Sequence, residues 1–217
     1  MPVYLLNKSL QMPSPELAEA DGLIAIGGDL SSDRLLIAYK MGIFPWYNEG
    51  EDILWWSPDP RFVLFPEELK VSKSMRRVIA KEEFSVSVNK DFESVIENCR
   101  TINRNGQEGT WITPEMKKAY IDLKEQGFAK SIEVWCDNEL VGGLYGILLG
   151  KVFFGESMFS LKSNASKFGF IHWVGLLKDL GVKIIDCQIQ TEHLRSLGAK
   201  DIARSDFLAI IRQNINI

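Results

Sequence analysis

The sequence predicts an α+β fold, with a small loop-rich unit over residues 1–60 and a larger unit of helices and strands over residues 61–217. Three observations carry this expectation. Six of the eight prolines and three of the six tryptophans fall within the first 60 residues, among short apolar runs broken by turns. Such a density of breakers favours loops over long elements. The apolar runs Ser131–Cys136, Glu139–Leu149 and Val152–Ser160 follow one another across short turns, as in an antiparallel meander. A long helical pattern over Asn164–Leu180 then precedes an apolar strand over Val182–Ile189. Helices on either side of a run of strands make an α+β arrangement.

The elements follow in chain order. Ser31 or Ser32 caps a helix over Asp33–Met41, with Gly42 at its end. Pro58-Asp59-Pro60 is a natural boundary. Val71–Ala80 reads as a helix capped by Ser72, Phe84–Val88 alternates as a strand, and Phe92–Cys99 is an amphipathic helix. Thr113-Pro114 opens a helix that runs to Glu125, with proline at the tolerated first turn and Gly127 beyond the end. Asp137-Asn138 and Gly150-Lys151 supply the turns of the meander. Ser205–Ile217 closes the chain as a helix or a mixture of helix and strand. No repeat or low-complexity tract is present.

Composition excludes several function classes. Hydrophobic residues make up 46% of the chain and charged residues 25%, as in an ordinary globular protein. A net charge of -4 leaves nucleic-acid binding to a local basic patch. Cys99, Cys136 and Cys187 are odd in number and widely spaced, which argues against a disulfide framework or a zinc site and fits a reducing cytoplasm. No charged segment leads into a long apolar stretch near Met1, and no run is long enough to span a bilayer. Neither a signal peptide nor a membrane partner is expected.

The residues with chemistry lie mainly in two strands. In Asp186-Cys187-Gln188 alternation puts Asp186, Gln188 and Gln190 on one face, and Ile185, Cys187 and Ile189 on the other. A polar row in an apolar strand is either a solvated strand end or one wall of a cleft. Glu156, in Gly155-Glu156-Ser157-Met158, interrupts a second apolar strand. Lys73, Arg76, Arg77 and Lys81 recur at helical spacing and form either a phosphate-contacting stripe or a solvated face. Trp46 and Trp111 sit beside turn residues, where they either pack inward or offer stacking platforms for unpaired bases. The glycines of Gly142-Gly143-Leu144-Tyr145-Gly146 lack a phosphate-loop ending and read as a bulged strand. His193 has no nucleophile beside it and reads as structural.

Taken together, these motifs resemble the leucyl/phenylalanyl-tRNA–protein transferases over nearly the whole chain. The resemblance rests on Gly27-Gly28-Asp29-Leu30, Gly42-Ile43-Phe44-Pro45-Trp46, Trp55-Trp56-Ser57-Pro58-Asp59-Pro60-Arg61, Gly109-Thr110-Trp111-Ile112, Gly142-Gly143-Leu144-Tyr145-Gly146, Gly155-Glu156-Ser157-Met158-Phe159-Ser160, Asn164-Ala165-Ser166-Lys167, Asp186-Cys187-Gln188 and Ser196-Leu197-Gly198-Ala199. It implies a small N-terminal domain and an acetyltransferase-like (GNAT-type) C-terminal domain with a central mixed sheet flanked by helices. The implied reaction moves leucine, phenylalanine or, less often, methionine from its tRNA to the α-amino group of proteins that begin with Arg or Lys. The product is marked for N-end-rule degradation. Leucyl- and phenylalanyl-tRNA enter through their 3′ aminoacyl-adenosine ends as co-substrates. The enzyme is cytoplasmic, monomeric and free of cofactor or metal.

The resemblance also assigns roles. Gln188 and Asp186 fall on the catalytic pair and Glu156 on a third polar position. Trp46 and Trp111 fall on the aromatics that hold the terminal adenosine. Leu144, Phe153, Met158, Phe170, Leu177 and Ile185 fall on or near the pocket for the transferred side chain. Gln188 is expected to accept a hydrogen bond from the attacking amine, with Asp186 orienting its amide. Two rivals remain open: an acetyl-CoA-dependent amine acetylase, whose glycine-rich pyrophosphate loop is not found, and a non-catalytic module that binds tRNA ends.

Overall fold

The computed structural model describes residues 3–102 and 110–215. Gly109 of the Thr110-Trp111 motif and the last two residues of the expected C-terminal helix lie outside them.

The N-terminal part builds a four-stranded sheet from β1 (Tyr4–Leu6), β2 (Leu23–Gly27), β3 (Phe44–Pro45) and β4 (Leu54–Trp56), in the order β1-β2-β4-β3. Between β2 and β3, helix α1 (Ser32–Lys40) starts where Ser31 Oγ accepts the Arg34 N–H, so Ser31 is the cap. Gly42 ends its last turn at φ 73°, and a Cβ there would strike Leu208. The expectation that the tryptophans cannot all be buried holds unevenly. Trp55 is fully buried, whereas Trp46 is 38% exposed.

The larger sheet has seven strands in the order β11-β5-β10-β9-β8-β7-β6. They are β5 (Arg61–Leu64), β6 (Ser85–Val88), β7 (Ala129–Cys136), β8 (Glu139–Leu149), β9 (Val152–Ser160), β10 (Ile184–Gln188) and β11 (Lys200–Ile202). All neighbours are antiparallel except β9 and β10. Helices α2 (Lys73–Ala80), α3 (Phe92–Thr101), α4 (Pro114–Glu125), α5 (Ala165–Asp179), α6 (Glu192–Ser196) and α7 (Arg204–Asn214) cover it. The expected mixed sheet flanked by helices is therefore present.

Caps match local chemistry. Ser72, Asp91 and Thr113 each accept a backbone N–H from the first turn of α2, α3 and α4. β8 and β9 have the bounds their apolar runs predict. Three elements differ from the sequence reading. β5 was not expected, because its four residues are all buried and show no alternation. α6 and β11 are too short to display a period.

Two hydrophobic clusters lie against the larger sheet. One joins Ile24, Leu35, Tyr39 and Trp55 of the N-terminal part to Val95, Tyr120, Tyr145, Phe154 and Phe207. The other packs α5 and β5 around Phe153, Ile185 and Leu177. Burial of these large side chains is the main favourable contribution, roughly 1.5–3 kcal/mol for each against full exposure.

Candidate active site

Strands β9 and β10 run parallel and pair only from Ile184–Asp186 against Val152–Phe154. Beyond Phe154 and Asp186 each follows its other neighbour, β8 or β5, and a cleft of about 640 Å³ opens there. Trp46, Trp111, Leu144, Phe153, Glu156, Met158, Phe170, Ile185, Asp186, Gln188 and His193 all line it. The structure thus brings together residues from positions 46 to 193 on both sides of the cleft.

Each parted strand carries a bulge. On β9 the register shifts between Tyr145↔Ser157 and Gly146↔Gly155, which leaves Glu156 as the extra residue. The bulge requires Gly146, since a Cβ there would lie 2.1 Å from the carbonyl oxygen of Phe154. On β10 the shift makes Cys187 the extra residue, and Gln188 adopts a left-handed φ of 59°. Period-two alternation therefore stops at Asp186, and Gln190 falls beyond the strand, exposed. The expectation of one continuous polar row is corrected by this bulge.

Asp186 is fully buried and bound to Arg61 by two hydrogen bonds, Nε to Oδ1 at 2.8 Å and Nη2 to Oδ2 at 2.6 Å. The guanidinium lies between the rings of Phe44 and Phe207, 4.7 Å from each centroid. Asp186 Oδ1 also accepts the backbone N–H of Gln188 at 3.0 Å. It holds the strained turn, not the Gln188 amide as the sequence suggested. A non-glycine residue in this conformation costs of order 1–3 kcal/mol and persists only where its surroundings hold it.

The partner of the amide is Glu156. Gln188 Nε2 donates to Glu156 Oε1 at 3.0 Å, which identifies the other end of the amide as its oxygen. Tyr39 Oη stands 2.7 Å from Oε1, Tyr120 Oη 2.7 Å from Oε2, and the two phenols 2.6 Å from each other. Burial, with a smaller contribution from the Asp186 charge, pushes the Glu156 carboxyl up to about 7, against the pull of its hydrogen bonds. Burial also raises both tyrosines well above the ordinary phenol range. It pushes the Cys187 thiol up, so this cysteine is no nucleophile at neutral pH. His193 lines the cleft with its pKa lowered by burial and then by Lys167.

The apolar wall consists of Leu144, Phe153, Met158, Phe170 and Ile185. Leu177, expected beside them, is buried in the underlying cluster and does not line the cleft. Trp46 projects at the rim with its ring edge-on to Trp56 at 5.9 Å, while Trp111 is 8% exposed. Lys73, Arg76, Arg77 and Lys81 are exposed on and just after α2, and none lines the cleft. Sequence reasoning missed Tyr39, Tyr120 and Arg61 as site residues. Arg61 carried a signal, an arginine inside an apolar run, whereas the tyrosines lie among ordinary helix positions. Among the described residues no group of three or more His, Cys, Asp or Glu is placed to hold a metal ion. No described helix is long and apolar enough to cross a membrane.

Comparison with known proteins gives the same outline. Residues 63–212 match the family model described as leucyl/phenylalanyl-tRNA protein transferase, and residues 28–59 match that of its N-terminal domain. The chain is 57% identical to the leucyl/phenylalanyl-tRNA–protein transferase of Christiangramia forsetii over 211 residues, 96% of this chain and 100% of that protein. With the enzyme of the same name from Syntrophobacter fumaroxidans the identity is 54% over 215 residues, covering 99% and 92%. Among solved structures, a GCN5-related N-acetyltransferase from Kribbella flavida is similar at 12% identity and a TM-score of 0.41, covering 77% of this chain and 60% of that one. The two family models and the high identity over whole sequences establish that this chain belongs to the leucyl/phenylalanyl-tRNA protein transferases.

Proposed function

We propose that the chain transfers leucine, phenylalanine and, less often, methionine from aminoacyl-tRNA to the α-amino group of proteins that begin with Arg or Lys, and so marks them for N-end-rule degradation. The family membership supports aminoacyl transfer from tRNA. The observation that carries the mechanism is the Gln188 amide, pinned by Glu156 at the point where β9 and β10 part.

The reaction is aminolysis of an ester. The amine nitrogen bonds to the ester carbonyl carbon, and the bond from that carbon to the ribose oxygen breaks. The amine loses one proton and the ribose oxygen gains one. The ester is already activated, so alignment supplies much of the acceleration. A free α-amine has a pKa of about 7.7–8.0, which leaves a useful neutral fraction near pH 7. With its N–H spent on Glu156, Gln188 offers its side-chain oxygen as acceptor for a proton of the incoming amine. Asp186 serves by holding the Gln188 backbone.

The apolar wall accepts the donor side chain. Leu144 and Met158 face each other across β8 and β9, with Phe153, Phe170 and Ile185 around them. Such a slot selects by shape, so unbranched and flat side chains fit and β-branched ones are penalised. One missing methylene costs about 1–3 kcal/mol, so the preference is graded. Trp46 and Trp111 give the terminal adenosine two aromatic faces.

The test mixes the protein with radiolabelled leucyl-tRNA and two model proteins, one starting with Arg and one with Ala. Label is expected on the Arg protein alone, and Gln188→Ala is expected to abolish its transfer while tRNA still binds. Equal labelling of both proteins would remove the acceptor rule. Full turnover in Gln188→Ala would remove the assigned role of the amide.

A further inference from the structure

Three short contacts close a ring on the floor of the cleft: Tyr39 Oη to Glu156 Oε1 at 2.7 Å, Tyr120 Oη to Glu156 Oε2 at 2.7 Å, and Tyr39 Oη to Tyr120 Oη at 2.6 Å. Oxygen atoms this close in a buried site need a proton between them, because facing lone pairs repel. Two phenols bring two protons. An ionised Glu156 brings none and leaves one contact without a proton. A neutral carboxylic acid brings the third. Gln188 then sets the direction of the ring. Its Nε2–H donates to Oε1 at 3.0 Å, so Oε1 is the carbonyl-type oxygen and the acid proton sits on Oε2, facing Tyr120. Tyr120 donates on to Tyr39, and Tyr39 to Oε1.

We propose that Tyr39 and Tyr120 are positioning residues that hold Glu156 as a neutral acid, so that the attacking amine meets an uncharged wall. The inference rests on the aminoacyl-transfer reading above and deepens it. A buried carboxylate near the amine would favour the ammonium form, which has no lone pair with which to attack. A neutral Glu156 still accepts from Gln188 and keeps the amide in place.

The groups around Glu156 agree with a neutral site. Tyr39 faces it from α1, Tyr120 from α4 and Tyr145 from β8. Asp186 of β10 is the remaining charge, and its two oxygens are engaged by Arg61 of β5. Cys187 and His193 of the cleft are kept uncharged at neutral pH by burial. Burial also holds the Glu156 proton to about pH 7 and both phenol protons far beyond it.

Difference infrared spectroscopy of the full chain, wild type minus Glu156→Gln, tests the protonation state without any tRNA. A carboxylic-acid carbonyl band is expected at pH 6, missing from Glu156→Gln and fading as the pH rises through about 7. Tyr120→Phe separates the ring from burial alone. It removes two of the three ring bonds of the acid but only one of those to the carboxylate. The midpoint of the band should therefore fall by roughly one pH unit. Burial alone predicts a rise, because the carboxylate loses a donor. Tyr39→Phe makes the same prediction and stands in if Tyr120→Phe does not fold. In transfer assays the alkaline decline of kcat seen with wild type should be absent from Glu156→Gln, whatever its rate. No acid band at pH 6, or a midpoint that rises in Tyr120→Phe, would overturn the proposal. A normal titration with no aminoacyl transfer would instead sink the transferase reading.

Discussion

Asp186 and Gln188 are two positions apart, yet one is locked in the interior and the other faces the cleft. The Arg61–Asp186 pair is buried on both sides, at 1% and 0% side-chain exposure. Removing one partner leaves an uncompensated buried charge, which costs roughly 3–5 kcal/mol. Asp186→Ala should lower the melting temperature sharply in thermal unfolding and lose transfer with it. An unchanged melting temperature would mean the pair carries no stability. Glu156 makes a prediction of its own. Its folded pKa is raised from 4.5 to about 7, so the folded state holds a proton that the unfolded chain releases earlier. Stability from this group is therefore full below pH 4.5, falls as the pH rises to about 7, and is level above. Wild type should lose stability relative to Glu156→Gln across that window, by on the order of 3 kcal/mol. Chemical denaturation of both proteins at pH 5 and pH 8 measures the difference. In the apolar wall, Leu144→Trp should abolish leucine transfer while charged tRNA still binds. Loss of binding together with transfer would argue against a side-chain pocket there.

At the scale of elements, two bulges do what regular strands cannot. The β9 bulge lets Glu156 reach Tyr39 and Tyr120, and the β10 bulge turns Gln188 out beyond Asp186. Gly146→Ala should force the β9 bulge apart, because its new methyl has no space against Phe154. Overpacking of this kind costs about 1–3 kcal/mol. We expect a comparable loss of stability in denaturant titration and a larger relative fall in kcat. A normal kcat would show that Glu156 does not depend on the bulge. Hairpins β7–β8 and β8–β9 were legible because each run is long and ends at turn residues. The bulges were not. The glycines of β8 suggested a bulge but did not say which residue across the pair would be displaced.

At the scale of the whole molecule, a chain of net charge -4 has to engage tRNA through a local patch. Lys73, Arg76, Arg77 and Lys81 give an exposed basic stripe outside the cleft, suited to phosphates of the acceptor stem rather than to its aminoacyl end. Replacing Arg76 and Arg77 by Glu should raise KM for aminoacyl-tRNA several-fold and leave kcat nearly unchanged. It should also flatten the salt dependence of binding, by about 0.7–0.9 in log–log slope for each phosphate no longer neutralised. A salt slope equal to that of wild type would make the stripe a solvated face.

The sequence by itself determined the strongly periodic elements, the caps and turns between them, and the family, since these are encoded in neighbouring residues. It also pointed to Asp186, Gln188, Glu156, Trp46 and Trp111, which the fold gathers around one cleft. Only the tertiary structure decided their partners. Arg61 meets Asp186 across 125 positions, and Tyr39 meets Glu156 across 117. Hydrophobic periodicity says which face of an element is buried, but not which element lies against it. That follows from sheet order, from the register of β9 and β10, and from one extra residue in each, which turned a polar row read along one strand into a network built across five elements.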